Sequence, residues 1–193
     1  MIIVLTIIGV IVMVFNKVSA TGLTATGFEN LKFYTVLSNV FSGIVAVVQS
    51  FFDRQNKRYL STLKLTAASA VSLTLIVVGG FFGPLYGWSN FYHGSNIFFH
   101  LIVPLLCMAE YLAARHEHKT GLKQCIIASS TTTVYGIAYV VNIAVNGIGT
   151  WPESNDWYGF LNWGYAMGAV IFAGIVFVNF LIACLLGRPW SKK

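Results

Sequence analysis

Charge is scarce in this sequence: only 9% of its 193 residues are Asp, Glu, Lys or Arg, where a soluble domain carries roughly 25%. A chain so short of charge cannot cover a globular surface in water, which excludes an ordinary soluble enzyme. Cysteine is scarce as well. Cys107, Cys125 and Cys184 lie in or beside different apolar segments and form no CxxC pair, so they read as small core residues, not as a disulfide or metal framework. There is no P-loop, GxGxxG or HExxH motif, no Glu-Glu pair and no Asp-His-His-Cys run. Internal repeats, low-complexity tracts and long linkers are missing too, so the chain reads as a single domain, 1–193, with no cofactor or metal expected.

What is abundant is apolar: 56% of the residues, with a mean hydropathy of +0.73. The apolar residues fall into six runs, near 1–15, 31–52, 63–82, 96–114, 125–146 and 160–186. The expected fold is therefore an all-α integral membrane protein, a bundle of six transmembrane helices. The first run is short: at 1.5 Å per residue it covers about 22 Å of a hydrocarbon core about 30 Å thick. Val18-Ser19-Ala20 resembles a signal-peptidase site, so a cleaved leader stands as the alternative for that run.

Charge placement orients the bundle. Arg54, Lys57, Arg58, Lys64, Arg115, Lys119, Lys123, Arg188, Lys192 and Lys193 are ten of the twelve basic residues, and all fall on one side. Lys17 and Lys32 fall on the other, with Glu29, Glu153 and Asp156. The positive-inside rule makes the basic side cytoplasmic and, with six spans, puts both termini there. The net charge of +6 thus follows from topology and does not point to nucleic acid. Tyr86, Trp88, Phe91 and Tyr92 crowd one outer connection; Trp151, Trp157, Tyr158 and Trp163 crowd another, as rings do at headgroup level.

Polar residues inside the runs are the informative ones, because a polar group facing lipid is costly. Thr35, Ser38, Asn39 and Ser42 share one helical face. So do Asn96, His100, Cys107 and Glu110, and Thr132, Tyr135, Tyr139, Asn142 and Asn146; the sixth run adds Asn162 and Tyr165. Thr35 and His100 each lie about four residues inside the outer end of their runs, so the topology puts them at similar depth, with Asn142 and Asn162 near that level. Pro104 follows His100 by four residues, which predicts a kink and a free carbonyl at His100. A neutral imidazole there can act as a general base. The blander readings stand beside these. Ser42, Ser69, Ser72, Thr74 and the 129–133 hydroxyls read as groups bonded to their own backbone or gluing helices together. Glu110 reads as an interface acid near Arg115, and His116-Glu117-His118 only weakly resembles a metal site.

The strings LKFYTVLSN (31–39) and NIFFHLIVPLLCMAE (96–110) together resemble the androgen-induced and androgen-dependent transmembrane hydrolase family and its bacterial relatives. The shared pattern is an aromatic-rich entry carrying a threonine, and a histidine several residues ahead of a proline; the 147–160 segment with Trp151-Pro152 is also similar to the bacterial relatives. The resemblance implies an intramembrane hydrolase of fatty acid esters of hydroxy fatty acids, with Thr35 as nucleophile and His100 as base, in a bacterial plasma membrane. Ser38-Asn39 after Thr35 and the short connections depart from the animal members, which bears on the substrate. A threonine hydroxyl needs a base within hydrogen-bond reach, and Asn39, Asn96 and Asn142 are candidate oxyanion donors, with Ser38 and Tyr139 as substrate-binding candidates. The expected partner is a membrane lipid or fatty acyl ester. The alternatives are a small-solute transporter or channel, for which inward polar stripes also suit, and a non-catalytic membrane partner protein.

Overall fold

The structure is a computed structural model and describes residues 1–15, 25–52, 57–114, 120–150 and 154–188. Helix α1 is Ile2–Phe15. A 3-10 turn, Gly27–Lys32, leads into α2, Tyr34–Phe52. Helix α3, Lys57–Val77, continues through a π-helical turn, Val78–Phe82, into Gly83–Tyr86. A short helix, Trp88–Phe91, precedes a second π-helical turn, Phe98–Ile102, which opens α4, Val103–Ala114. Helix α5 is Leu122–Asn146, and after a 3-10 turn at Phe160–Trp163, α6 is Tyr165–Gly187. No strand occurs among the described residues.

Four stretches are long and apolar enough to cross a membrane: Tyr34–Phe52, Leu60–Tyr86, Leu122–Asn146 and Tyr165–Gly187. Ile2–Phe15 and Phe98–Ala113 are apolar but shorter. Two helices begin later than the apolar runs suggest. Phe33 is extended, with φ −83° and ψ 133°, so α2 starts at Tyr34 and Thr35 falls in its first turn. Gly164 at φ 85° breaks the sixth run, a conformation an L side chain resists, so α6 starts at Tyr165. Asn162 is thereby left outside the helix, on an exposed turn, and Tyr165 is also exposed; neither turns inward as the helical spacing predicts.

Helix α3 is the axle of the bundle, packed by α2, α4, α5 and α6. Its middle is made of small residues: Ala67, Ala68, Ser69, Ala70, Val71 and Ser72 are all buried. Small side chains let helices approach closely in a bilayer, where apolar burial alone does not drive association. The hydroxyls of Ser69, Ser72, Ser129 and Ser130 return to carbonyls three or four residues back on their own helices. Helices α2, α5 and α6 also present apolar side chains outward: Ile44, Val134, Val145, Val170 and Phe177 are all exposed, while Val45, Ile143 and Ile182 face the core. An outer face of exposed apolar side chains suits a lipid solvent.

Helix α1 is stitched to the bundle by its small residues. A Cβ on Gly9 would come within 2.8 Å of the Phe99 ring, and one on Gly43 of α2 within 2.9 Å of Thr6. Residues Lys17, Val18-Ser19-Ala20, Asp53, Arg54, Arg115, His116, Glu117, His118, Lys119, Trp151, Pro152, Glu153, Lys192 and Lys193 lie outside the described residues.

Candidate functional site

The site begins with Pro104, which has no N–H to donate. The turn before it winds as a π-helix, and the Val103 N–H donates to the Phe98 carbonyl, five residues back. In that winding the carbonyl Pro104 cannot serve belongs to Phe99, one residue earlier than α-helical spacing predicts. Asn39 supplies the missing donor. Its Nδ2 donates to the Phe99 carbonyl at 2.8 Å and to the Thr35 carbonyl of its own helix at 2.7 Å. Asn39 is completely buried, and its Oδ1 has no partner among the described residues. One amide thus ties the Thr35 turn of α2 to the turn that carries His100.

His100 is buried, and its Nδ1 lies 2.7 Å from the Phe91 carbonyl oxygen. A carbonyl only accepts, so Nδ1 carries the proton, and in the neutral ring Nε2 holds the lone pair. The same bond pins the Trp88–Phe91 helix over the head of α4, with the Phe91 ring tilted against the imidazole. Thr35 is half-buried in the first turn of α2. Among the described residues neither its hydroxyl nor its N–H has a hydrogen-bond partner. Its neighbour Ser38 donates to the Thr35 carbonyl at 3.0 Å and shares a 3.3 Å contact with Thr74 of α3.

The remaining candidates go elsewhere. Asn96 donates to the Asn90 carbonyl at 3.3 Å. Asn142 donates to Asn155 at 3.1 Å and accepts from Asn146 at 2.9 Å, closing the C-terminal end of α5. Tyr139 donates to the Asp156 carboxylate. Asn39, although at the site, has both amide protons occupied by carbonyls and offers no free donor to a substrate.

Asp156, by sequence no more than a loop charge, is the centre of a second cluster. It is 4% exposed. Besides Tyr139, it accepts the N–H groups of Phe160 at 2.9 Å and Leu161 at 2.8 Å, the first donors of the 3-10 turn. The Tyr158 N–H donates to the Tyr139 hydroxyl at 3.4 Å, and the Tyr158 hydroxyl accepts the Tyr34 N–H at 2.9 Å. Burial pushes the Tyr158 phenol well above its ordinary value, so it stays protonated. Tyr135 donates to the Lys32 carbonyl at 2.6 Å and accepts from Trp157 at 3.0 Å, while the Lys32 ammonium lies over the Phe33 and Trp157 rings. The α5–α6 connection is therefore bonded onto the start of α2, beside Thr35. Below it, the Tyr34 hydroxyl meets Thr131 at 3.2 Å and Thr132 at 3.1 Å, and Thr132 accepts from Asn179, a buried residue of α6. An asparagine in the middle of the most apolar run was the available signal for Asn179; nothing local marked Asp156.

At the other end of the bundle, Glu110 is exposed and shares with Lys64, Gln49, Ser42 and Cys107 a cavity of about 20 Å³, room for about one water. The one GxSx string, Gly87-Trp88-Ser89-Asn90, spans the short helix with Ser89 exposed, unlike a nucleophile sheltered in a bundle. No three His, Cys, Asp or Glu side chains converge to hold a metal among the described residues. Compared with known proteins, the chain matches no family model, no curated protein and no solved structure.

Proposed function

We propose that this protein is an intramembrane lipid-ester hydrolase with Thr35 as nucleophile and His100 as base, the activity that the resemblance of its two motifs implies. The observation that carries the reading is the Asn39 amide, which bonds the carbonyls of Thr35 and Phe99 and so sets the threonine turn beside the histidine turn. The Phe91 carbonyl supports it by fixing the imidazole tautomer with Nε2 as the proton acceptor. In the proposed reaction, Nε2 takes the Thr35 hydroxyl proton as the oxygen attacks the ester carbonyl. The proton passes to the departing alkoxide, leaving acyl-Thr35, and water then attacks the acyl group with the same base. The oxyanion donor is the Thr35 N–H, which the helix start leaves without an acceptor and which lies on the positive end of the α2 dipole.

The bundle crosses the membrane six times in this reading, with both termini on the cytoplasmic side of a bacterial plasma membrane, and the fatty chains lie against the apolar faces of the outer leaflet. The substrate class is a fatty acyl ester, including fatty acid esters of hydroxy fatty acids.

The test is hydrolysis of such an ester by the purified chain in detergent micelles, with labelling by a fluorophosphonate probe. Thr35→Ala abolishes both. His100→Asn is the informative partner change, because the asparagine amide can still donate to the Phe91 carbonyl while Nε2 is lost. It should lower turnover about 100-fold or more with the fold intact. Turnover unchanged in both variants rules out the dyad.

A further inference from the structure

Helices α5 and α6 run antiparallel, and three contacts set their register. A Cβ on Gly136 would fall 1.6 Å from the Phe172 ring, so the backbones approach closely there. One turn further along, Thr132 accepts from Asn179. At the far end, a Cβ on Gly187 would meet Thr120 at 2.7 Å. Between the last two contacts the register sets Cys125 of α5 level with Cys184 of α6. Cys125 belongs to the buried core there, Cys184 packs against that core close enough to interact with it, and both thiols are free. Cys107, the third cysteine, lies away from them on α4, among Ile2, Ser42 and Val45. Sequence spacing did not show this pairing, because the two residues belong to different apolar runs.

We propose that Cys125 and Cys184 are a redox modification site, a thiol pair that a hydroperoxide converts to an interhelical disulfide. Cys184 is the half-buried member and Cys125 the buried one, so Cys184 meets the oxidant first. Its sulfur, as the thiolate, attacks one peroxide oxygen; the O–O bond breaks, Cys184 becomes a sulfenic acid, and the other oxygen leaves as water or alcohol with the thiol proton. The Cys125 sulfur then attacks the Cys184 sulfur. The S–S bond forms, the S–O bond breaks, and the hydroxyl leaves as water with the Cys125 proton. The pair gives up two electrons and two protons, and the hydroperoxide is reduced. A neutral hydroperoxide suits this position, since it can enter an apolar bundle that an ionic oxidant cannot. The product staples α5 to α6 at the end bearing Lys123 and Arg188. The site stands independently of the hydrolase reading.

The experiment treats the full chain in detergent micelles with hydrogen peroxide, and in parallel with copper–phenanthroline under air, and then maps peptides by mass spectrometry. The expected product is a Cys125–Cys184 linked peptide, lighter by two hydrogens and reversed by dithiothreitol, with a raised unfolding temperature. Cys107→Ser should retain the link, and Cys125→Ser and Cys184→Ser should lose it while keeping the helical circular dichroism of the parent. Failure of both oxidants to produce the link, or a link that runs through Cys107 or between molecules, overturns the proposal.

Discussion

Asn39 and Asp156 are buried polar residues with opposite prospects on mutation. Asn39 answers carbonyls on two helices, so Asn39→Leu leaves the Phe99 carbonyl without a donor in an apolar interior. A buried acceptor left unpaired costs about 1–3 kcal/mol, and the removal of the orphan Oδ1 offsets part of that. The expected outcome is a lower unfolding temperature in detergent with helicity retained. Asp156 accepts three donors at once, two of them backbone N–H groups. Asp156→Asn replaces an acceptor with an amide that puts its own N–H against one of them. Because the Tyr139–Tyr158–Tyr34 chain leads from this carboxylate to the start of α2, the change should loosen the α5–α6 connection. Faster proteolysis or faster hydrogen exchange across 154–163 would register it, while an unchanged exchange rate there would show that the carboxylate does not hold the connection.

Two element-level features follow from single residues that lack an atom. Pro104 lacks an N–H, and the π-turn and the Asn39 bond are the structural response. Pro104→Ala restores a donor to the α4 backbone, so the Asn39 amide becomes partly redundant. In a double-mutant cycle, Asn39→Leu should cost less in the Pro104→Ala background than in the parent; equal costs would break the link between proline and asparagine. Gly136 lacks a Cβ, which lets the Phe172 ring lie against the α5 backbone. Gly136→Val places branched carbons where the ring is. Overpacking of that kind costs about 1–3 kcal/mol, and it should part α5 from α6 along a line that includes Thr132–Asn179 and Cys125–Cys184. The unfolding temperature of Gly136→Val and its loss of Cys125–Cys184 crosslinking are the two readouts.

At the scale of the whole molecule, the outward apolar faces of α2, α5 and α6 and the small-residue axle of α3 belong to a protein folded for lipid. The proposed six-span topology makes a direct prediction. A fluorescent protein fused after residue 193 should mature in the cytoplasm, and alkaline phosphatase inserted near His93 should be active outside. Phosphatase activity from a fusion at 120 would reverse the orientation that the basic residues predict.

Local pattern determined a good deal by itself. Each of the six apolar runs holds a helix among the described residues, four of them long and apolar enough to cross a membrane, because length and hydropathy specify where a chain can satisfy its own backbone in an apolar medium. The Ser38–Asn39–Ser42 face is buried, since helical period alone decides which residues share a side. The proline distortion was legible for the same local reason, apart from its one-residue displacement by π winding. Pairing across the bundle was not legible. Nothing in the sequence says that Asn39 serves Phe99, that Asp156 is drawn inward onto Tyr139, that Asn142 faces Asn155, or that Cys125 meets Cys184. Period assigns a residue to a face, but only the packing of helices on the α3 axle, and glycines such as Gly136 and Gly164 that set how closely they approach and where they start, decide what that face meets.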